Sequence, residues 1–265
     1  MFLIHRPAAP ERHYPTGARP ACKDRRVTPA PGGIALARSY FTELVAPTIR
    51  RHVPELRYAA ARLGSGSEVL GLDDEISRDH DWGLRLQLFV ADTDVTRLRS
   101  TLEDHLPTEF DGHPVRFGFS SDPAARLRID VDSVDSAAKQ HLGFDPRRDA
   151  SVQDWLSLSG QAVLEITAGE VFRDDVGDLT SLREALAWYP NDVWRYVIAC
   201  DWQRIDQELP LMQRAGHRGD DLGSRVIAAR LVDATMHLGF LLCRQWVPYP
   251  KWRGTLFNRL PLHIN

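Results

Sequence analysis

Cysteine is scarce in this 265-residue chain: Cys22, Cys200 and Cys243 are odd in number and far apart. They make neither a disulfide framework nor a zinc site and suit a reducing compartment, so the sequence reads as cytoplasmic. No apolar run reaches the roughly 18 residues that a membrane helix needs. Met1 to Ile4 is too short for the apolar region of a signal peptide. A basic surplus is also missing, with 33 Lys and Arg against 36 Asp and Glu, a net charge of −3. That balance argues against a dedicated nucleic-acid binder and weakens tRNA or DNA as a partner. There is no internal repeat, no P-loop, and no Gly-x-Ser-x-Gly nucleophile elbow between a strand and a helix. What remains is an ordinary globular composition, in a chain long enough for one large domain or two smaller ones.

Residues 1–33 hold six of the seventeen prolines, several arginines and little apolar periodicity. Such a segment buries too little surface to offset its ordering entropy, so it reads as a disordered N-terminal extension. From Ile34 the spacing of Leu36, Tyr40, Phe41, Leu44, Val45 and Ile49 predicts a helix, bent at Pro47 and ended by Pro54. Residues 58–63 and 82–90 read as the first two strands, with a helix over 95–105 capped by Asp92 or Thr93. Strands follow at 115–119 and 127–134, then a short helix capped by Asp135 and ending at Gly143. A helix over 155–164 and a last strand over 165–172 close this part. After Thr180 the pattern becomes long and amphipathic, with helices at 182–189, 193–209 and 222–246 and one more after Pro250. The fold class is therefore α+β: a small mixed β-sheet core over 34–178 and a C-terminal antiparallel helical bundle over 179–265. The active cleft is expected between the two.

Chemistry gathers at Gly64-Ser65-Gly66-Ser67, which follows an apolar run, and at Asp79-His80-Asp81, which opens the next. A turn of small residues exposes backbone N–H groups and two hydroxyls, a concavity suited to phosphate. Asp79 and Asp81, two apart on a strand, project from one face. Two adjacent carboxylates repel each other, and a metal-free triphosphate, unless a cation joins them; hard oxygen ligands suit Mg²⁺. A phosphate cradle beside a carboxylate pair equips a chain for phosphoryl or nucleotidyl transfer. Taken alone, a Gly/Ser turn before two acids is as well an ordinary loop. Asp73, Asp74 and Glu75 read as solvated loop residues, and His80 falls on the opposite strand face. His237 reads as a core or interface histidine, and Asp220 and Asp221 as caps of the helix that follows. On the strand at 127–134, Ile129 and Val131 face one way and Asp130 and Asp132 the other. Lys251, stiffened by Pro248 and Pro250 between Tyr249 and Trp252, either meets phosphate or snorkels beside aromatic rings. Arg183 and Arg244 are weaker candidates of the same kind.

The order apolar-Gly-Ser, a gap of about a dozen residues, then Asp-x-Asp resembles the signature of DNA polymerase beta-like nucleotidyltransferases. The string from Gly64 to Gly83 is similar to a narrower group within them, the bacterial domain of unknown function 4037. Gly169-Glu170-Val171-Phe172, the stretch from Tyr189 to Trp194, and Pro248-Tyr249-Pro250-Lys251-Trp252 resemble it too, so the likeness spans about residues 34–260. The resemblance implies transfer of a nucleoside monophosphate, AMP from ATP by preference, to a small-molecule acceptor. Asp79 and Asp81 would hold two Mg²⁺ ions, with a third carboxylate from the neighbouring strand: Asp130 first, Asp132 second. Gly64, Ser65, Gly66 and Ser67 would bind the triphosphate, helped by Lys251. A catalytically silent nucleotide-binding module and an AMP-transferring modifier of a partner protein stay open as alternatives. So does a homodimer.

Overall fold

The computed structural model describes residues 32–74 and 81–261. From Pro31 onward the chain forms one compact unit. The expected N-terminal extension lies outside the described residues, apart from its last two positions. Gly33 already belongs to α1, where it is buried and gives its N–H to Asp73 Oδ2 at 2.6 Å.

In chain order the elements are α1 (Gly33–Ser39), π-helical turns (Tyr40–Val45), α2 (Ala46–His52) and β1 (Ala59–Arg62). A 3₁₀ turn (Ser67–Leu70), β2 (Leu86–Phe89), α3 (Val95–His105), β3 (Glu109–Phe110), β4 (His113–Pro114) and β5 (Arg116–Phe117) follow. Then come β6 (Arg126–Leu127), β7 (Ile129–Asp132), α4 (Val134–Leu142), α5 (Val152–Ser157), α6 (Gly160–Thr167) and β8 (Glu170–Asp174). The chain ends in α7 (Asp178–Ala185), α8 (Asn191–His217), α9 (Asp221–Leu242) and α10 (Pro250–Phe257). The α+β class holds: a small mixed sheet with a helical C-terminal part.

The sheet runs β7-β2-β1-β8. β1 lies antiparallel to β2 and β8, while β2 and β7 are parallel, with Gln87 beside Asp130 and Leu88 beside Val131. Alternation decides what each face buries. Leu86, Leu88, Ile129 and Val131 join α1–α3 in one core, and Ala59, Ala61 and Leu63 join α4, α6 and α7 in a second on the other face. On that second face Phe89 of β2 packs against the same core, while Gln87, Asp130 and Asp132 are polar and floor an open cleft.

Several boundaries differ from the sequence reading. The strand read over 82–90 begins only at Leu86, because Asp81 (φ +54°) and Gly83 (φ +154°) adopt backbone that no pleated strand continues. Glu165 belongs to helix α6, and the last strand starts at Glu170. β5 pairs only with β6, outside the main sheet. Ser133, not Asp135, caps α4, its hydroxyl accepting from the Ser136 N–H at 3.2 Å. Asp220 caps α9 as expected. Pro47 follows the π-helical turns and stands in the first turn of α2, where its missing N–H breaks no bond of that helix. Pro190 marks the joint before α8, which fully buries only Val193 and exposes Tyr196, Trp202 and Leu209.

Candidate functional site

β1 carries the chain into the Gly/Ser turn, and the turn borders a cleft of about 930 Å³ over the polar half of the sheet. Leu63, Gly64 and Ser65 line one end, and Arg85, Gln87, Asp130 and Asp132 the floor. Gln140 and His141 of α4, Glu165 of α6 and Leu182 of α7 rise around it. None of its lining residues lies beyond Leu182. The cleft is therefore walled by α3, α4, α6 and α7; of the bundle expected over 179–265 only Leu179 and Leu182 of α7 reach it, and the long helices α8 and α9 do not line it. The reason lies in packing: α8 and α9 lie mainly against each other, whereas α4, α6 and α7 cover the sheet.

The turn is held from below. Arg62 at the end of β1 is 1% exposed; it pairs with buried Glu68 and donates to the carbonyls of Leu63 and, at 2.7 Å, of Ser65. Arg85 donates to the same Ser65 carbonyl at 3.0 Å and to the Ser65 hydroxyl at 3.1 Å. Its guanidinium lies 5.0 Å from the Phe119 ring centre. Burial, and then the charge of Arg62, pull the Arg85 pKa down to about 10, so it stays protonated at neutral pH.

These bonds sort the expected phosphate ligands. Ser65 is exposed in the cleft. Gly64 also lines it, but its N–H is already given to the Glu165 carbonyl at 2.7 Å, so it offers open space rather than a donor. With φ +82° and no atom within 4 Å of where a Cβ would stand, that space is real. Gly66 and Ser67 do not line the cleft; Ser67 is buried, and a Cβ on Gly66 would strike the Glu68 carboxylate. Lys251 stands exposed at the start of α10, 5.0 Å from the Trp252 ring centre, and is not brought to the cleft. Arg183 donates instead to the Thr167 carbonyl, and Arg244 lies over Trp194.

Asp79 lies outside the described residues. Asp81 accepts the Ser120 N–H at 2.6 Å, and Asp130 stands exposed on β7 and accepts from Gln87 Nε2 at 3.0 Å. Both carboxylates lie near enough to Arg85 to favour its protonated form. Asp132 is otherwise committed: its two oxygens accept from the Ser133 N–H and from Gln140. That contrast favours Asp130 over Asp132 as the freer carboxylate. Among the described residues no group of three or more His, Cys, Asp or Glu is placed to hold a metal ion. Asp81 and Asp130 do supply the hard oxygen donors that suit Mg²⁺.

Sequence reasoning passed over Arg62, Glu68, Arg85 and Gln87. Gln87 ties the turn to the carboxylate, accepting from the Leu63 N–H at 2.7 Å while it donates to Asp130. A signal for two of them was present. Arg85 and Gln87 share the odd-numbered parity of Asp79 and Asp81 and so belong on the polar face by period two. Nothing in Ala-Ala-Ala-Arg announces that Arg62 is buried.

Residues 155–253 match the family model of the domain of unknown function DUF4037. The matched segment starts in α5, ends in α10 and takes in the cleft walls from α6 and α7. The Gly/Ser turn, Asp81 and Asp130 precede it. No curated protein matches the chain. A crystal structure of a nucleotidyltransferase-like protein from Exiguobacterium sibiricum is similar over 88% of this chain and 69% of its own, at 12% identity and a TM-score of 0.34.

Proposed function

We propose that this chain is a nucleotidyltransferase that moves a nucleoside monophosphate, AMP from ATP by preference, onto a small-molecule acceptor. The observation that carries the reading is a single cleft with the Ser65 turn at one end and the exposed Asp130 carboxylate on its floor, joined through Gln87. Its volume falls in the small-ligand range, which supports a small acceptor over a protein one. Ser65 would hold the phosphates, and Asp130 would orient the acceptor from β7. Asp79, Asp81 and Asp130 would hold Mg²⁺, which supplies positive charge to the triphosphate and makes an acceptor hydroxyl more acidic. Leu63 and Gln87 fix the distance between the turn and the acceptor side, because one side chain spans both.

The test is a screen of labelled nucleoside triphosphates with Mg²⁺ or Mn²⁺ and a metabolite pool, following pyrophosphate release and label transfer. Release that depends on Asp130 is the expected result; no release from any nucleotide removes the reading. A second reading, a silent nucleotide-binding module, has one observation in its favour. Arg85 already sets a positive charge near the carboxylates that would hold the metal.

A further inference from the structure

We infer that two copies of this chain pair through the apolar side of the α8–α9 hairpin, with α8 antiparallel to α8 of the second copy around Trp202. The hairpin buries little by itself. Its helices, of 27 and 22 residues, lie against each other, yet no residue from Trp194 to Arg230 is fully buried. Helices in water draw most of their stability from packing an apolar face against other elements, and over this stretch each helix has chiefly the other. Ion pairs show which side of the hairpin is complete. Glu208 pairs with Arg230 and, at 3.3 Å, with Arg204, while Asp201 meets His237 Nδ1 at 2.6 Å. One side is thus bridged by polar groups, which also set the levels: Glu208 beside Arg230 and Asp201 beside His237.

The opposite side is apolar. Ile198, Trp202, Ile205 and Leu209 recur at helical spacing on α8, as do Ala228, Val232 and Thr235 on α9. At about 100° per residue, in right-handed helices running antiparallel, both runs fall on the side away from the ion pairs. Trp202, Leu209 and Val232 are 55%, 46% and 59% exposed there. The border of this face favours a second copy as its cover. Arg195 and Asp206 lie along the α8 border, both exposed, and among the described residues neither side chain has a hydrogen-bond or ion-pair partner. A two-fold axis near Trp202 brings the same border of both helices together in opposite directions. Arg195 of each copy then comes level with Asp206 of the other, and the aromatic anchor sits at the centre. These two charges cancel within each copy, so the pairing gathers no net charge. An overlap from Asp192 to Leu209 is about 26 Å long and, at two helices, about 20 Å wide. It buries roughly 1,000 Å² in all, at the lower end for a specific interface, so the dimer is expected to be reversible. The pairing does not rest on the transferase reading, because no residue lining the cleft lies beyond Leu182.

The experiment is sedimentation velocity on the full chain over a concentration series, with circular dichroism to confirm that each variant is folded. The wild type is expected to run as a reversible dimer and Trp202→Glu as a folded monomer. Arg195→Glu and Asp206→Arg each set like charges against each other at both ends of the overlap, and each is expected to weaken pairing at least ten-fold. The variant carrying both changes restores opposite charges and is expected to return to within a few-fold of the wild type. A damaged hairpin or an unspecific apolar contact cannot give that recovery. A wild type that stays monomeric at every concentration overturns the inference, whatever partner protein the face then takes. So does a Trp202→Glu chain that pairs like the wild type, or a double variant that pairs no better than the two single ones.

Discussion

Replacing Glu68 by Gln tests the charge arrangement under the turn through stability alone. The substitution keeps the volume and removes the carboxylate that stands between two guanidiniums. Arg62 is 1% exposed, so neither water nor salt replaces the lost partner. Breaking a buried pair from one side costs about 3–5 kcal/mol, because the remaining charge is stranded. For a domain of this size that lowers the melting temperature by roughly 6–20 °C. Arg85→Gln should cost far less, because burial already lowers its pKa in the folded state and its charge is a burden there. The double variant is then the decisive measurement. Removing the second guanidinium relieves the repulsion that Glu68→Gln creates, so the pair should cost less than the two single changes together. Urea denaturation of the four proteins at pH 7 checks this. A Glu68→Gln cost below about 1 kcal/mol, or strict additivity, refutes the reasoning, since a stranded buried charge can give neither result.

Asp130→Asn should lower turnover by orders of magnitude while nucleotide binding survives within a few-fold, whereas Asp132→Asn, whose oxygens serve Ser133 and Gln140, should be milder; steady-state rates with a binding titration separate them. Gly169→Ala puts a Cβ 2.2 Å from the Arg62 carbonyl at φ +72° and should destabilise by more than about 2 kcal/mol, while Gly71→Ala, at φ +66° with open space around it, should lose only about 1–2 kcal/mol; melting curves of both compare the close approach with the backbone alone. Arg147 and Arg148 hold the Asp145 carboxyl down at about 2, and a carboxyl depressed when folded contributes stability that is whole above about pH 4 and is lost as pH falls through 2. Asp145→Asn should therefore cost roughly 1.5–3 kcal/mol at pH 7 and progressively less toward pH 2; unfolding midpoints at pH 7, 4 and 2.5 show whether the cost shrinks.

Period and punctuation were legible from the chain alone. The alternation of Ile129-Asp130-Val131-Asp132 set both aspartates on the face opposite the core, and the structure keeps them there. The helix before Pro54, the αL stop at Gly143 and the Asp220 cap follow from spacing and side-chain chemistry, which act over a few residues. Asp81 could not be read this way. A strand extended back through 82 ignores that two residues with positive φ break the pleat, and Gly83 holds its φ of +154° tightly against the Phe117 ring, a long-range contact.

The residue types of the cleft, then, were set by local sequence: a turn of glycine and serine, and carboxylates at period two. Which of them act together was decided only when β2 paired in parallel with β7 and carried Gln87 to Asp130 across 43 positions of chain. The same holds for Arg62, Glu68 and Arg85. Each is an unremarked charge in its own stretch, and only burial under one turn, where charges are no longer screened by water, makes their balance matter.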